Sequence, residues 1–544
     1  MNWFAVLSAF GLASYGAATP PRLFFKLKPE IPIEIAGGAI QSKLGTEIQP
    51  DFAGIPRLAL VSFPSDAALK SALTDLEKTG WFEYIEEDGV IAGTTFSIPN
   101  DPLFNQQWGF RNTGQSGGTT DFDLNIDPAW DLQQGQSFVK VLIIDNGVQG
   151  DHADLTLGFG ANFNGQPGNG TPVSTFDNHG TCVAGVIGAK LNNALLVAGI
   201  APGVTIGSAR PHVMTSANGF TAQASDIVAA IGYSLTTGCR ITNNSNGYAT
   251  AFQSVADAYA STRAAGVAHF AASGNSGVLA ISNPANLPTV FAVGGVDRFG
   301  GIWSNSNFGP EQDFVGPALD IRLLDRDPGG YSGTGSVNLS GTSFASPAVA
   351  GIAALAVSAN RYLTPDGIHT VLASTARDLE ALGWDIYAGW GLPRADAAVQ
   401  KALNYRLIGN LLLQNRQSPV DSIQVSYDLP TKLQDGSFTG SVGAFNWLAP
   451  VGPFEVSISS RPFLTKKFAL NNSSTVNLGN VTLVNGDVNG DNEIGAGDFD
   501  QIVAKFGLTV GDSLYSAYAD LDGDGEIGST DFDIVVGNFG QSGE

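Results

Sequence analysis

The pattern of apolar and polar residues divides the chain into regions of different secondary structure. From about residue 99 to residue 402, short apolar runs alternate with helical patterns. One run, FVKVLIIDNG, is almost continuously apolar and ends in Asp145. Continuous apolar runs are typical of strands that are buried on both faces of a parallel sheet. The alternation therefore predicts an α/β domain in which helices cover a parallel sheet.

Residues 19–98 combine strand and helix patterns on a smaller scale. LFFKLKP, RLALVSF and WFEYIEEDGVIAG are predicted strands. SDAALKSALTDLEKTG is a predicted helix, with Ser65 and Asp66 as N-cap candidates and Gly80 at its end. The pattern predicts a small α+β unit.

At about residue 403 the pattern changes to an alternation with a period of two. SIQVSYDL, GPFEVSIS and STVNLGNVTLV alternate apolar and polar residues, with Gly, Pro and Ser between them. This pattern predicts an antiparallel β-sandwich over residues 403–485.

Residues 486–544 contain an internal repeat. GDVNGDNEIGAGDFDQIVAKFG recurs 33 positions later as ADLDGDGEIGSTDFDIVVGNFG. Apolar residues at i, i+3, i+4 and i+7 follow each acidic stretch, so each repeat is predicted to contain one helix. We expect a small helical repeat module.

Each repeat places oxygen-bearing side chains at positions 1, 3, 5, 7 and 12 of a twelve-residue loop, which is the ligand spacing of an EF-hand-type calcium site. In the first repeat these residues are Asp487, Asn489, Asp491, Glu493 and Asp498, and in the second they are Asp520, Asp522, Asp524, Glu526 and Asp531. Position 7 contributes its backbone carbonyl in such loops. The sequence therefore predicts two Ca²⁺ ions in this module, and residues 99–402 are a candidate region for further ions.

The charge of the chain supports that interpretation. The net charge is −23, from 27 basic and 50 acidic residues, which argues against a nucleic-acid partner. Residues 486–544 hold 13 Asp and Glu residues against one Lys, so about half of the negative charge lies there. Two cysteines, Cys182 and Cys239, cannot form a disulfide framework, and free buried thiols are favoured over a disulfide.

The N-terminus MNWFAVLSAFGLASYGAATP has an apolar core followed by small residues. This pattern predicts a signal peptide over residues 1–18, with export of the protein, and a buried N-terminal strand is the alternative. No other segment is predicted to span a membrane. The apolar run 347–359 is predicted to be a core helix.

Four motifs carry the candidate chemistry: LIIDNGV with Asp145, DNHGTCVAG with His179, ASGN with Asn275 and SGTSFASP with Ser343. A hydroxyl nucleophile needs a base, and the imidazole needs a carboxylate that fixes its tautomer. Ser343 would begin a helix, whose free N–H groups favour a developing negative charge. The Asn275 amide would donate to the same oxyanion.

These motifs and their order resemble the subtilisin-like (subtilase, peptidase family S8) serine proteases. The resemblance implies a subtilisin-like catalytic domain over residues 99–402 and a secreted serine endopeptidase that works through an Asp-His-Ser triad and an acyl-enzyme. Its partners would be protein or peptide substrates. Residues 19–98 resemble the inhibitory prosegment of the family, which would bind its own catalytic domain and be removed by self-processing.

The substrate cleft follows from the same resemblance. ITNNSNG matches the strand that pairs with the substrate backbone, with Ser245 and Gly247 at the motif positions. Ser273 and Gly274 would form a second wall. No acidic residue lies in 272–290, so we expect a preference for an apolar residue just before the scissile bond.

The C-terminal repeat resembles a type I dockerin, since no convincing helix enters either loop. The resemblance implies a cohesin-like partner, and a cell-envelope partner is the alternative. For the chain as a whole, the competing hypothesis is a non-catalytic, calcium-dependent surface binding protein on a subtilase scaffold. The presence of all four catalytic positions disfavours it.

Overall fold

The computed structural model describes residues 22–28, 31, 48–49, 57–87, 98–216, 219–429 and 436–544. The chain forms two compact units, Met1–Thr95 and Phe96–Glu544. The predicted signal peptide over residues 1–18 lies outside the described residues.

The first unit pairs one helix with a small sheet. Its elements are β1 (Arg22–Leu27), β2 (Ile48–Gln49), β3 (Leu58–Ser62), α1 (Asp66–Glu77) and β4 (Phe82–Glu87). The strands follow the order β2-β3-β1-β4 with antiparallel pairing. Ser65 caps the N-terminus of helix α1, and its hydroxyl accepts the Ala68 N–H at 3.3 Å. Leu23, Val61 and Leu76 are in the shared core, so the described part of this unit is α+β.

The second unit begins with the predicted α/β domain. Its strands are β5 (Lys140–Ile144), β6 (Leu157–Asn162), β7 (Thr205–Arg210), β8 (Val213–Ser216), β9 (Gly219–Thr221), β10 (Ile241–Asn244), β11 (Ala268–Ala272), β12 (Phe291–Val296), β13 (Gln312–Pro317), β14 (Ile321–Leu324) and β15 (Ser336–Leu339). Its α-helices are α2 (Ile126–Leu132), α3 (His179–Gly188), α4 (Ala224–Thr237), α5 (Gln253–Ala264), α6 (Thr342–Ala359), α7 (Pro365–Thr375) and α8 (Ala395–Leu403), and Phe104–Gln106 and Gln115–Gly117 form short 3₁₀-helices.

A parallel sheet organises this domain, with the strand order β13-β12-β11-β10-β5-β7-β6. The expected α/β fold is confirmed. Because the strands are parallel, the residues that follow β5, β10 and β11 meet at the carboxyl edge of the sheet, where open α/β sheets place their ligands. That edge carries Asp145, Ser245 and Ser273.

Helix α6 is the core helix that the apolar run 347–359 predicts. Among the described residues it is the one helix that is long and apolar enough to cross a bilayer, yet it is buried inside the protein. It packs against α3, α8 and strands β11 to β13. The helix therefore fixes Ser343, near its N-terminus, against the sheet.

The region that follows contains two small sheets. Its strands are β16 (Arg406–Leu413), β17 (Gln424–Asp428), β18 (Ser437–Thr439), β19 (Gly443–Leu448), β20 (Gly452–Ser460), β21 (Phe463–Asn472) and β22 (Val476–Leu483). They form the orders β19-β16-β22 and β18-β17-β20-β21. The prediction of a purely antiparallel sandwich is wrong at one pair, since β16 and β22 are parallel. These strands are far apart in the sequence, so no hairpin dictates their direction.

The C-terminal module contains helices α9 (Ala496–Lys505) and α10 (Ser529–Asn538), one after each acidic loop. Ile502 and Val535 are in its core. Leu464 of β21 belongs to the same cluster. The sandwich therefore supplies part of the core of this module.

Polar contacts join the sandwich to both acidic loops. Arg461 donates to the Val488 carbonyl at 2.6 Å, and Asn485 donates to the Leu521 carbonyl at 2.7 Å. Val488 and Leu521 are the second residues of the two loops. Asn538 is buried and donates its amide to the Asn485 carbonyl at 2.8 Å.

Candidate active site

The candidate acid and base lie side by side. Asp145 follows β5 and is 1% exposed, and His179 is the first residue of α3. His179 Nδ1 lies 2.9 Å from Asp145 Oδ2 and 3.1 Å from Oδ1. The Asn146 N–H and the Asn246 amide also donate to the carboxylate, at 2.8 and 3.2 Å. The carboxylate is thus held in one orientation toward the imidazole.

Each member of this pair stabilises the charged form of the other. Burial on its own would raise the pKa of Asp145, but the charge and hydrogen bond of His179 outweigh it and hold that pKa below its ordinary value. Burial disfavours a charged imidazole, yet Asp145 prevails and raises the pKa of His179. The imidazole is therefore a stronger base than a free histidine.

Ser343 shares a cleft of about 400 Å³ with His179. In the described contacts its Oγ donates to the Ser245 carbonyl at 3.0 Å rather than to His179. The Ser245 hydroxyl donates in turn to the Ser343 carbonyl at 2.7 Å. A rotation about χ1 of Ser343 redirects its hydroxyl, and catalytic hydrogen bonds are often loose before substrate binds.

Asn275 follows β11 and also lines this cleft. Its Oδ1 accepts the backbone N–H and the hydroxyl of Thr342, each at 2.9 Å. Because those donors fix the carbonyl end of the amide, the NH₂ end is the one left to donate. The sequence alone does not reveal this role of Thr342, although the residue lies inside the SGTSFASP motif.

The predicted substrate residues have different positions. Ser245 and Gly247 line the cleft, and their role in substrate binding stays a prediction. Ser273 is buried and donates to the Asn307 carbonyl at 3.0 Å, so its side chain supports the wall instead of forming it. Gly274 has φ of +116°, and a Cβ there would lie 2.3 Å from the Asn307 amide, so glycine is required.

Asn146 is a further residue whose role the sequence did not reveal. Its amide oxygen accepts the Gly180 N–H at 2.9 Å, in the first turn of α3. The residue after Asp145 therefore also holds the helix that carries His179.

The cysteines are free and buried, which confirms the prediction of two thiols. Burial raises the pKa of Cys182 well above its ordinary value and that of Cys239 to about 12. Both thiols are therefore protonated and unreactive at neutral pH.

The two acidic loops repeat the same contacts. Asp487 accepts the N–H groups of Gly490 and Asn492 at 2.7 and 3.0 Å. Asp520 accepts the N–H groups of Gly523 and Gly525 at 2.8 and 3.2 Å. Backbone donors thus hold the first ligand of each loop in place.

The remaining predicted ligands fit a calcium ion. One carboxylate oxygen each of Asp520, Asp522 and Asp524 lies within 4.8 Å of the others. Asp498 and Asp531, the twelfth residues, are buried at the start of α9 and α10. The other predicted ligands, Asn489, Asp491, Glu493 and Glu526, lie in the same two loops. Clustered carboxylates at this spacing are the oxygen donors that Ca²⁺ prefers.

Comparison with known proteins identifies related chains. Residues 136–391 match the Subtilase family, and residues 485–539 match the Dockerin type I domain. The chain is 30% identical over 414 residues to the halolysin-like extracellular serine protease Nep of Natrialba magadii, which covers 73% of this chain and 72% of that protein. It is 30% identical over 365 residues to M-protease of Shouchella clausii (strain KSM-K16), a match that covers 66% of this chain and 83% of that protein. It is 31% identical over 338 residues to subtilisin E of Bacillus subtilis (strain 168), covering 61% and 79%.

Proposed function

The chain belongs to the subtilase family and carries a dockerin type I domain, and we propose that this serine-type endopeptidase cleaves its substrate through an Asp-His-Ser triad. Ser343 is the nucleophile, His179 the general base and Asp145 the residue that orients the imidazole. The observation that carries the proposal is the 2.9 Å contact between His179 Nδ1 and Asp145, with Ser343 in the same cleft.

The reaction proceeds in two halves. Ser343 Oγ bonds to the scissile carbonyl carbon while His179 takes its proton, and the C–N bond then breaks as His179 gives that proton to the leaving amine. Water, deprotonated by His179, then attacks the acyl-enzyme carbonyl carbon, and the ester C–O bond breaks as His179 returns that proton to Ser343 Oγ and the carboxylic acid product leaves. The Asn275 amide and the Ser343 N–H donate to the oxyanion in both halves.

The cleft favours apolar side chains before the scissile bond. Met214, Phe220, Leu339 and Phe344 are among its lining residues. Among the described residues that line it, none is Asp or Glu. A Lys or Arg side chain of the substrate would find no opposite charge there, so an apolar residue is preferred.

The chain is made as a precursor. Residues 1–18 are the signal peptide of an exported protease, and residues 19–98 are the inhibitory prosegment that the enzyme removes itself. The catalytic domain, sandwich and calcium module follow as 99–402, 403–485 and 486–544. The family and the dockerin domain support this order.

Calcium serves a structural role. Each acidic loop binds one ion through its five predicted ligands, which neutralises clustered carboxylates and orders the loop. Asp154 is a further candidate ligand, because the acidic residue at the corresponding position binds calcium in some members of the family. The module's partner is a cohesin-like protein or a cell-envelope component.

The proposal is tested with the purified full chain and its Ser343→Ala variant at millimolar calcium. Chromogenic peptides with Phe or Arg before the scissile bond are the substrates, and mass spectrometry follows the prosegment. We expect wild-type turnover, faster with Phe, and loss of the prosegment, both absent from the variant. A processed wild type as inert as the variant on these peptides and on casein would favour the binding-protein hypothesis.

A further inference from the structure

A buried arginine lies directly behind the acid–base pair. Arg210 is the last residue of β7 and is 1% exposed. Its Nη2 donates to Asp177 Oδ2 at 2.9 Å and its Nε to the Asn146 carbonyl at 3.0 Å. Its Nη1 donates to the Gln166 amide oxygen at 3.3 Å. The guanidinium thus holds acceptors from separate segments of the chain.

Two of those acceptors are neighbours of the proposed catalytic residues. Asn146 follows Asp145, and Asp177 lies two residues before His179. Asp145 and His179 sit on different elements, at the end of β5 and the start of α3. Arg210 therefore connects the backbone behind the acid to the loop before the base.

Asp177 organises that loop. Its carboxylate accepts the N–H groups of Val173 and Ser174 at 2.7 and 2.8 Å, as well as the Ser174 hydroxyl at 3.1 Å. On the opposite side, Arg326 donates to Asn178 Oδ1 at 3.0 Å. The loop is closed around Asp177, and Arg210 ties it to the sheet.

We infer that Arg210 is a positioning residue that keeps His179 and Asp145 in reacting geometry. The inference rests on the proposed function of that pair. Arg210 contacts neither substrate nor reacting atom, and it acts through Asn146 and Asp177. The Asn146–Gly180 hydrogen bond closes the second side of the same ring of contacts.

The geometry favours positioning over a purely stabilising role. Replacing a buried ion pair with neutral groups is often neutral for stability. A planar guanidinium, however, holds two acceptors at fixed angles, which an ammonium group does not. A displacement of about 1 Å in a catalytic constellation costs on the order of 10²-fold in rate. The expected loss is therefore in rate.

Two variants test the inference. The double variant Arg210→Met/Asp177→Asn removes both charges together, and Arg210→Lys keeps the positive charge but loses the planar arrangement of guanidinium donors. The matched control is Arg240→Met. Arg240 is a buried arginine just before β10, at the amino ends of the strands of the same sheet. It donates to the carbonyls of Arg361 and Leu363. All variants are compared with wild type and Ser343→Ala on the Phe peptide. Concentrations are set by active-site titration, and by absorbance for Ser343→Ala, which has no nucleophile to titrate.

We expect kcat of the double variant to fall about 10²-fold, with KM within about twofold of wild type. Arg210→Lys should lose about tenfold, and Arg240→Met should stay within about twofold. The acid limb of kcat/KM should move to lower pH in both Arg210 variants, because a loosened Asp145 raises the pKa of His179 less. The titratable groups that face Arg210 or the acid–base pair include Asp145, Asp177 and the buried His212, together with Cys182, Tyr248 and Tyr331, and Arg326 lies beside the loop of Asp177.

An unchanged kcat, or an unmoved acid limb, in a folded Arg210 variant would overturn the inference. So would an equal fall in kcat in Arg240→Met. If the double variant does not fold, Arg210→Lys decides by the same two measurements. Wild type without activity above Ser343→Ala would instead reject the proposed function, so the two failures are distinguishable.

Discussion

The proposed active-site cleft and the proposed calcium module gather their functional groups in opposite ways. In the cleft, Asp145 and His179 are 34 residues apart, and Ser343 comes from a third element. The parallel sheet and helix α6 bring them together. In each calcium loop, all predicted ligands come from twelve consecutive residues.

The difference has a physical consequence. The contact between Asp145 and His179 depends on a large, densely packed core and is present without substrate, and Ser343 needs only a side-chain rotation to join it. A short loop of carboxylates repels itself and needs a cation to hold its shape. Substitutions in the cleft should therefore change rate while the fold persists, and those in the module should change stability while the rate persists.

The largest effect is expected in the cleft, from the Asn275→Ala substitution. Loss of an oxyanion donor should lower kcat about 10²–10³-fold, with calcium binding unchanged. Asn305→Ala, an exposed asparagine from a neighbouring loop, is the control. Steady-state kinetics and calcium titration measure both. A comparable loss in the control would mean that asparagine replacements there act through folding.

The calcium module is tested with the Asp531→Ala substitution. Asp531 is buried and accepts the Gly528 N–H at 2.7 Å, at the start of α10. Its loss should remove one bound Ca²⁺ and lower the stability of the module by roughly 2.7 kcal/mol at a hundredfold excess of calcium over Kd. The exposed Asp533, two residues on, provides the control as Asp533→Ala. Calorimetry and kcat are measured together, and a fall in kcat would break the comparison.

A smaller effect concerns pH. Since Asp145 raises the pKa of His179, kcat/KM should fall as pH drops through a value above the ordinary 6.5 or so. The loss approaches tenfold per pH unit, because protonated His179 is not a base. The melting temperature of the calcium module should stay level near that pH. An acid limb below the ordinary histidine pKa would contradict the geometry of the pair.

The last comparison is between the two repeats themselves. Asn538 and Lys505 occupy equivalent positions, but Asn538 is buried with its amide on Gln414 Oε1 at 2.8 Å. Asn538→Ala should destabilise the module by about 1–3 kcal/mol, because partners on the sandwich lose their hydrogen bonds. Lys505→Ala should change stability by less than about 0.5 kcal/mol. Equal effects in denaturant unfolding would contradict a docked sandwich.

The sequence predicts the local features best. The α/β architecture is confirmed. It could be predicted because a continuously apolar run such as the one before Asp145 is typical of a strand buried on both faces of a parallel sheet. The dockerin type I domain is also confirmed. It could be predicted because all the predicted ligands of each loop lie within one short segment of the sequence. The parallel pairing of β16 with β22 and the burial of Ser273 depend on contacts between distant residues. No local pattern carries that information.

The tie of Thr342 to Asn275 shows why motifs are incomplete. The motif places the hydroxyl of Thr342 one residue before Ser343, but only the folded chain shows which amide it orients. The direction of the Ser343 hydroxyl likewise depends on the carbonyl of Ser245, which follows a different strand.

Leu464 has a practical consequence for protein engineering. A segment cut at residue 486 and fused to another protein would leave behind a leucine that belongs to its own core. The Val488 and Leu521 carbonyls would also lose Arg461 and Asn485. A fragment that carries the calcium module should therefore also include the sandwich strand that supplies Leu464.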